Sequence, residues 1–357
     1  MIELQTSCAM PDRPRPILGI GAGGIVRDAH LPAYKIAGFE HVGLYDPDIG
    51  KAKTLADQFD VPSVFGSMEE ALEGAPDDVV FDVAVPGGVV RKIIPQLPDG
   101  AAVLIQKPLG LNLEDARHLC AVCRDKQLIA AVNFQLRYAP PIIALRSLVD
   151  RGLLGDLHDI QMQVTLWTPW ELWDFLKTEK RVEILYHSIH YLDMIRFFAG
   201  DPHGVFARVN RAPGQPDLAD VKSSIILDYG DLLRVTVSAN HCHEGGLANQ
   251  ESYVRLEGSE GVAKVTLGLC MDYPRGRPDV FEYCLFGDGT PSWETLDIEG
   301  TWMPHAFIGT MASVMAKAED PSRPLPTSVD DALRTMAVVE AAYLSSASGS
   351  TPIDYGD

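Results

Sequence analysis

The sequence predicts a two-domain α/β protein: a doubly wound parallel sheet, then an α+β domain built on a large antiparallel sheet. Three observations carry this expectation. Between Pro16 and Val132, short β-branched runs alternate with amphipathic helical runs, the pattern of βαβ units. Between Asp159 and Phe286, alternating apolar and polar runs are separated by turns such as Asp228-Tyr-Gly-Asp231 and Glu257-Gly-Ser-Glu-Gly261, as antiparallel hairpins require. Finally, the stretch from Pro16 to His30 converts an apolar run into a glycine turn that opens a helix.

Residues 1–15 are polar and proline-spaced, and prolines lack a ladder donor, so they read as an arm before the first strand. Strands are expected at 17–20, 42–45, 79–85, 101–105 and 128–132, with helices at 25–37, 49–58, 68–72, 89–96 and 113–126. Asn112 is the expected N-cap of the last of these helices. A helix near 141–151 and a long alternating strand at 159–166 open the second domain, and a helix at 182–199 stops at Gly200. Alternating runs follow at 205–209, 223–229, 232–239, 253–257, 262–267 and 280–286, and the chain returns to helix at 305–318 and 329–345. Asp330 and Asp331 sit in the first turn of that last helix, where they favour its dipole. The expected organisation is therefore an arm at 1–15, a first domain at 16–135 and a second at 136–357, whose C-terminal helices can pack back on the first.

Composition excludes several classes of function. With 357 residues, 46% hydrophobic and 22% charged, the chain has room for two cores. A formal net charge of −19 argues against a nucleic-acid partner, because phosphate binding needs clustered Lys and Arg. No apolar run is long enough to span a bilayer and no secretory leader opens the sequence, so a cytoplasmic protein without a membrane partner is expected. Six cysteines are too sparse for a disulfide framework. Cys120 and Cys123 fall within a helical run without a second pair at zinc spacing, and His241-Cys242-His243 on a strand would alternate faces, so no metal site is expected.

The glycine turn carries the chemistry. Gly19, Gly21 and Gly24 keep the G-x-G-x-x-G spacing, which permits a tight turn and close backbone approach to a pyrophosphate. Backbone N–H groups from Ala22, Gly23, Gly24 and Ile25 at the helix start can meet the phosphate charge. Asp46 ends the second strand, where a carboxylate accepts from a ribose 2′-OH and repels a 2′-phosphate; NAD is expected and NADP disfavoured. Ligands of such sheets gather at the carboxyl ends of the strands, so the glycine turn, Asp46, Pro86, Gln106, Lys107 and Pro108 should share one edge.

In the second domain Tyr186, His187 and His190 form a polar cluster at the start of a helix. Tyr186, His190 and Asp193 lie near one stripe at regular helical spacing. The segment Leu166-Trp-Thr-Pro-Trp-Glu-Leu-Trp173 concentrates three tryptophans, suited either to stacking on a sugar or to packing in a core or interface. A wide apolar sheet face needs cover, which points to a homo-oligomer.

Four motifs in order, Gly19-Ile-Gly-Ala-Gly-Gly24, Gln106-Lys-Pro108, Tyr186-His-Ser-Ile-His-Tyr-Leu-Asp193 and the helix from Val329 to Ser346, resemble the Gfo/Idh/MocA family of nicotinamide-dependent sugar and polyol dehydrogenases over essentially the whole chain. The resemblance implies an N-terminal Rossmann domain, a C-terminal α+β domain with a large, mostly antiparallel sheet, and a homodimer or homotetramer. It also implies hydride transfer between NAD and a secondary alcohol of a sugar, polyol or sugar acid. Lys107 and Pro108 match the family's E-K-P motif, while Gln106 replaces its acid. His190 matches the catalytic histidine of D-x-x-x-H-x-x-D and Asp193 its last acid; Tyr186 takes the place of its first acid, either relaying a proton or orienting His190. Asn133 and Arg137 resemble the segment that borders nicotinamide and substrate, and substrate contacts are implied for Lys107, Asn133, Arg137, Tyr186, His187 and His190. Two alternatives remain at this point: a lyase or hydrolase that uses NAD transiently, and a non-catalytic sensor of dinucleotide and sugar.

Overall fold

The computed structural model describes residues 2–273 and 275–353. Met1 of the arm, Pro274, and residues 354–357 at the end of the second expected domain lie outside the described residues. The chain forms two compact units, one of Met1–Gly152, Pro278–Phe281 and Thr295–Met336, the other of Leu153–Arg277, Glu282–Glu294 and Ala337–Asp357.

The first unit carries six strands, β1 (Ile17–Ile20), β2 (His41–Tyr45), β3 (Val64–Phe65), β4 (Val80–Val83), β5 (Ala102–Ile105) and β6 (Ile129–Val132). Their order is β3-β2-β1-β4-β5-β6, with every pair parallel. The order reverses at β1, between β2 and β4, which is where ligands of open α/β sheets bind. β1, β4 and β5 are buried along their whole length, hence their apolar runs, interrupted in β4 by Asp82. β3 is only two residues long and has no sequence signal of its own.

The helices are α1 (Leu31–Ala37), α2 (Ile49–Phe59), α3 (Met68–Glu73), α4 (Gly87–Ile93), α5 (Leu113–Asp125) and α6 (Pro140–Asp150). Asn112 caps α5 as expected, its side chain accepting from the Asp115 N–H at 2.9 Å. A π turn at Val26–His30 precedes α1, so the expected helix at 25–37 contains one widened turn. Gly21 joins β1 to that helix at a φ of 109°, and a Cβ there would overlap the Ala84 carbonyl, so both backbone and space require glycine.

A later helix of the chain completes this unit's core: in α8 (Ala306–Glu319), Phe307, Met311, Ala312 and Met315 pack with Ile17, Val80, Leu104 and Ala131. The arm has no regular structure, yet it is pinned along α6 and α8. The Gln5 N–H donates to Ser147 Oγ at 3.3 Å, Arg151 to the Glu3 carbonyl at 2.7 Å, and Arg15 to the Ala318 carbonyl at 2.7 Å.

The second unit is organised by a sheet containing β7 (Leu157–Thr165), β8 (Gly204–Asn210), β9 (Lys222–Asp228), β10 (Arg234–Asn240), β11 (Glu251–Gly258), β12 (Gly261–Thr266), β13 (Val280–Leu285) and β14 (Glu294–Leu296). The order is β14-β13-β12-β11-β7-β10-β9-β8. β7 and β10 run parallel, an exception to the expected antiparallel hairpins, while β8/β9, β9/β10, β7/β11 and β11/β12 are antiparallel. A parallel pair needs a crossover. That crossover contains a π turn at Ile184–Ser188 and α7 (Ile189–Ala199), which ends at Gly200 with a φ of 77°. Along β7, Ile160, Met162 and Val164 are buried while their neighbours face the other side, which is the alternation visible in the sequence. The last helix is α9 (Val329–Ser348). Among the described residues no helix is long and apolar enough to cross a membrane.

Candidate active site

In the first unit the glycine turn and Asp46 form one structure. Asp46 Oδ2 accepts the Ala22 N–H at 2.8 Å and Oδ1 accepts the Asp48 N–H at 2.8 Å, which fixes the carboxylate at the end of β2 against the turn. Gly23 and Gly24 are exposed, and the first N–H groups of the helix they open have no intrahelical acceptor. This donor set fits the pyrophosphate of a dinucleotide. Asp46 beside it, followed by Pro47 and Asp48 with no cation, suits a free ribose 2′-OH and repels a 2′-phosphate.

Pro86 immediately precedes α4, and a Cβ on Gly87 would meet Pro108 Cγ at 3.1 Å, so the first turn of α4 packs directly on the Lys107–Pro108 segment. Lys107 is half-buried just beyond β5, and its N–H donates to Gln106 Oε1 at 2.8 Å. Behind Gln106 lies a polar core that sequence reasoning missed. His30 Nε2 is 3.1 Å from Gln106 Nε2, His30 Nδ1 is 2.7 Å from Asp82 Oδ2, and Tyr34 donates to the same oxygen at 2.8 Å. Residues 86–90 contain no histidine, but His30 brings an imidazole to Gln106 from the π turn. The available signal was Asp82, an acid inside the otherwise apolar β4 run Val-Phe-Asp-Val.

Asn133 is fully buried, with Nδ2 3.4 Å from His30 Nε2 and Oδ1 accepting from Thr310 Oγ1 at 2.8 Å. Arg137 is also buried, donating to Asp331 Oδ2 at 2.6 Å and to the Pro326 carbonyl at 3.1 Å. The partners of Asn133 lie in the unit's interior, whereas those of Arg137 are half-buried or exposed residues of the same unit.

In the second unit Tyr186, His190 and Asp193 are all buried, and His187 is half-buried. The π turn that holds Tyr186 is wider than an α turn, so Tyr186 and His190 do not keep the regular i, i+4 phase expected from their spacing. Burial, and then the nearby Glu179 carboxylate, push the Tyr186 phenol well above its ordinary pKa. It is therefore a hydrogen-bond donor at neutral pH. Phe175 packs edge-on against it at 5.6 Å between centroids.

His187 is walled by aromatic groups: the His241 ring lies at 4.5 Å, Trp170 at 4.9 Å and Trp173 at 6.4 Å between centroids. Trp170 is buried on both imidazoles and has a packing role within this unit, whereas Trp167 is exposed and Trp173 half-buried. A second unforeseen polar core supports this turn. Buried Glu183 accepts from Ser188 Oγ at 2.6 Å and faces His241 Nε2 at 3.3 Å, while Asp220 accepts the Glu183 N–H at 2.6 Å. Burial first, and then the Glu183 charge, raise Asp220 to about 6 against the lowering effect of its backbone donors. The acid within the apolar run Val182-Glu-Ile-Leu185 was the sequence signal.

Cys120 and Cys123 lie buried in α5, their thiols raised to about 11 and about 12, first of all by burial. Among the described residues no group of three or more His, Cys, Asp or Glu could hold a metal ion.

A parallel sheet with a glycine-turn dinucleotide cradle at its reversal point, followed by a unit built on a mostly antiparallel sheet, defines an NAD-binding oxidoreductase of two-domain type. Residues 17–134 match the model of the Gfo/Idh/MocA oxidoreductase family with its NAD-binding Rossmann fold, residues 142–264 match that family's C-terminal domain, and the chain belongs to this family. It is 26% identical over 344 residues to D-apiose dehydrogenase of Paraburkholderia graminis, covering 93% of this chain and 88% of the relative. The fold is shared with an oxidoreductase from Agrobacterium radiobacter in complex with NAD+, L-tartaric acid and magnesium (TM-score 0.79, 20% identity, 94% of this chain and 97% of that one). It is also shared with aldose-aldose oxidoreductase from Caulobacter crescentus complexed with glycerol (TM-score 0.77, 17% identity, 95% and 99% coverage).

Proposed function

We propose that the chain is a reversible NAD-dependent dehydrogenase acting on a secondary alcohol of a sugar, polyol or sugar acid. The observation that carries this reading is the tethering of Lys107 beyond β5, on the sheet edge that also bears the glycine turn and Asp46. The substrate class is supported by the name of the D-apiose dehydrogenase relative. When bound, the nicotinamide supplies the hydride acceptor in one direction and the hydride donor in the other.

The side chains handle the proton and the oxygen. In the oxidative direction His190 takes the hydroxyl proton, and the Lys107 ammonium holds the charge that develops on the oxygen. Tyr186, kept as a neutral phenol, donates toward His190 or the substrate rather than acting as a base. His187 contributes to the substrate wall. Gly19, Gly21, Ala22, Gly23, Gly24, Ile25, Asp46, Pro86 and Gln106 serve the cofactor. Asn133 enters as a support of that edge, because its polar groups already face buried partners, and Arg137 joins it through Asp331 with substrate contact kept as part of the reading. This reading keeps 16–135 as the cofactor domain and 136–357 as the substrate domain of a cytoplasmic enzyme.

The same reading includes a homodimer or homotetramer formed through the second unit's sheet. Phe206 and Ile226 are paired across β8 and β9 and are 66% and 51% exposed, an apolar patch suited to burial. Light scattering at micromolar concentration is expected to give a dimer or larger; a stable monomer refutes this part.

NADH fluorescence during incubation with NAD and a panel of sugars, polyols and aldonates tests the activity. Release of NADH in step with product on at least one substrate is expected. Turnover without net NADH would favour a lyase or hydrolase, and binding without turnover a sensor.

A further inference from the structure

We propose that Gln106 is a positioning residue for Lys107, with its amide locked in one orientation by the buried pair His30 and Asp82. The proposal rests on the reading of Lys107 given above, and it explains why an amide stands where the resembling family has an acid. A backbone N–H can only donate, so the Gln106 atom 2.8 Å from the Lys107 nitrogen is its carbonyl oxygen. The Gln106 NH2 group then faces His30 Nε2 at 3.1 Å, and the Asn133 NH2 group approaches the same nitrogen at 3.4 Å.

An amide NH2 group only donates, so both contacts require a lone pair on His30 Nε2. The single ring proton must then sit on Nδ1, where Asp82 Oδ2 accepts it at 2.7 Å. Tyr34 supplies a second donor to that oxygen at 2.8 Å; burial, and then the Asp82 charge, keep its phenol protonated. His41, stacked on Tyr34, is lowered to about 4, mainly by burial, and adds no positive charge at neutral pH. The donors therefore run in one direction only: the Lys107 N–H to Gln106, Gln106 to His30, His30 to Asp82.

A carboxylate at position 106 could accept from Lys107 but has no hydrogen for His30 Nε2. A proton would then have to lie between them; placed on Nε2 it makes the ring an imidazolium and displaces the Asn133 NH2 group, which needs the same lone pair. With glutamine the ring proton is directed at Asp82, one imidazole away from the end of β5. The end of the strand is then held by neutral hydrogen bonds whose geometry does not depend on a second proton.

The test uses the full chain with isotope-labelled histidine. At neutral pH the wild-type His30 spectrum is expected to show Nε2 unprotonated and Nδ1 protonated, and Gln106→Glu is expected to protonate both nitrogens without loss of fold. Gln106→Leu is expected to speed hydrogen exchange at the Lys107 amide and, with a confirmed substrate, to lower kcat by up to about 10²-fold, as misplacement of a reacting group predicts. A proton on His30 Nε2 in the wild type, or unchanged exchange at Lys107 in Gln106→Leu, overturns the proposal. Its failure and that of the parent reading are separable: full turnover in Lys107→Ala removes the catalytic role of Lys107, whereas the spectrum and the exchange rate decide the role of Gln106.

Discussion

The His30 imidazole meets the Asp82 carboxylate at 2.7 Å with both side chains inside the first unit, so a helix turn and a central strand share one buried polar contact. His30→Leu leaves the carboxylate with Tyr34 as its one remaining donor among the bonds described here. The expected cost is about 3–5 kcal/mol, the range for removing one partner of a buried pair. A lowered first transition in thermal unfolding checks it, and a change below roughly 1 kcal/mol would mean that the pair is dispensable.

Asp220 gives stability a pH dependence of defined sign. Its carboxyl is raised from an ordinary 3.8 to about 6, so between those values the folded chain binds more protons than the unfolded one. This contribution favours folding at low pH and is lost as pH rises through about 4 to 6, by roughly 3 kcal/mol at most. Asp220→Asn keeps an oxygen acceptor but does not titrate. Its stability relative to wild type is expected to improve from pH 4 to pH 7 in urea titrations, and a relative stability that stays constant or falls over this interval contradicts the assignment.

The Asp46 carboxylate, held beside the Ala22 amide, is expected to set cofactor choice. NAD is expected to bind more tightly than NADP, and Asp46→Ala to weaken NAD and narrow the difference. Titration of both cofactors against the purified protein measures this; tighter binding of NADP to the wild type refutes it.

The division of catalytic labour is tested by three variants under saturating NAD. His190→Asn and Lys107→Ala are each expected to cut turnover by roughly 10²–10⁴-fold with NAD binding nearly intact. Tyr186→Phe is expected to lose much less, because its phenol is held protonated. A loss as large as that of His190→Asn would make Tyr186 a proton relay instead. Near-wild-type rates in both His190→Asn and Lys107→Ala would mean that the site has been mislocated.

Most of the elements and the class of each sheet were legible in the sequence, because these depend on local periodicity and on glycine and capping chemistry at short range. The strands β1 and β5 are apolar runs, Asn112 is a side-chain cap, and Gly21 and Asp46 are fixed by the turn that they make. Tertiary structure alone decided which polar side chains meet inside the protein. His30 and Asp82 are separated by 52 positions, Glu183 and His241 by 58, and neither pair has a shared periodicity. It also decided the parallel pairing of β7 with β10, the π turn that shifts the phase between Tyr186 and His190, and the return of α8 to the first unit's core. The polar pairs, the β7/β10 pairing and the packing of α8 join distant segments, selected because buried donors, acceptors and apolar faces must find partners wherever the fold brings them.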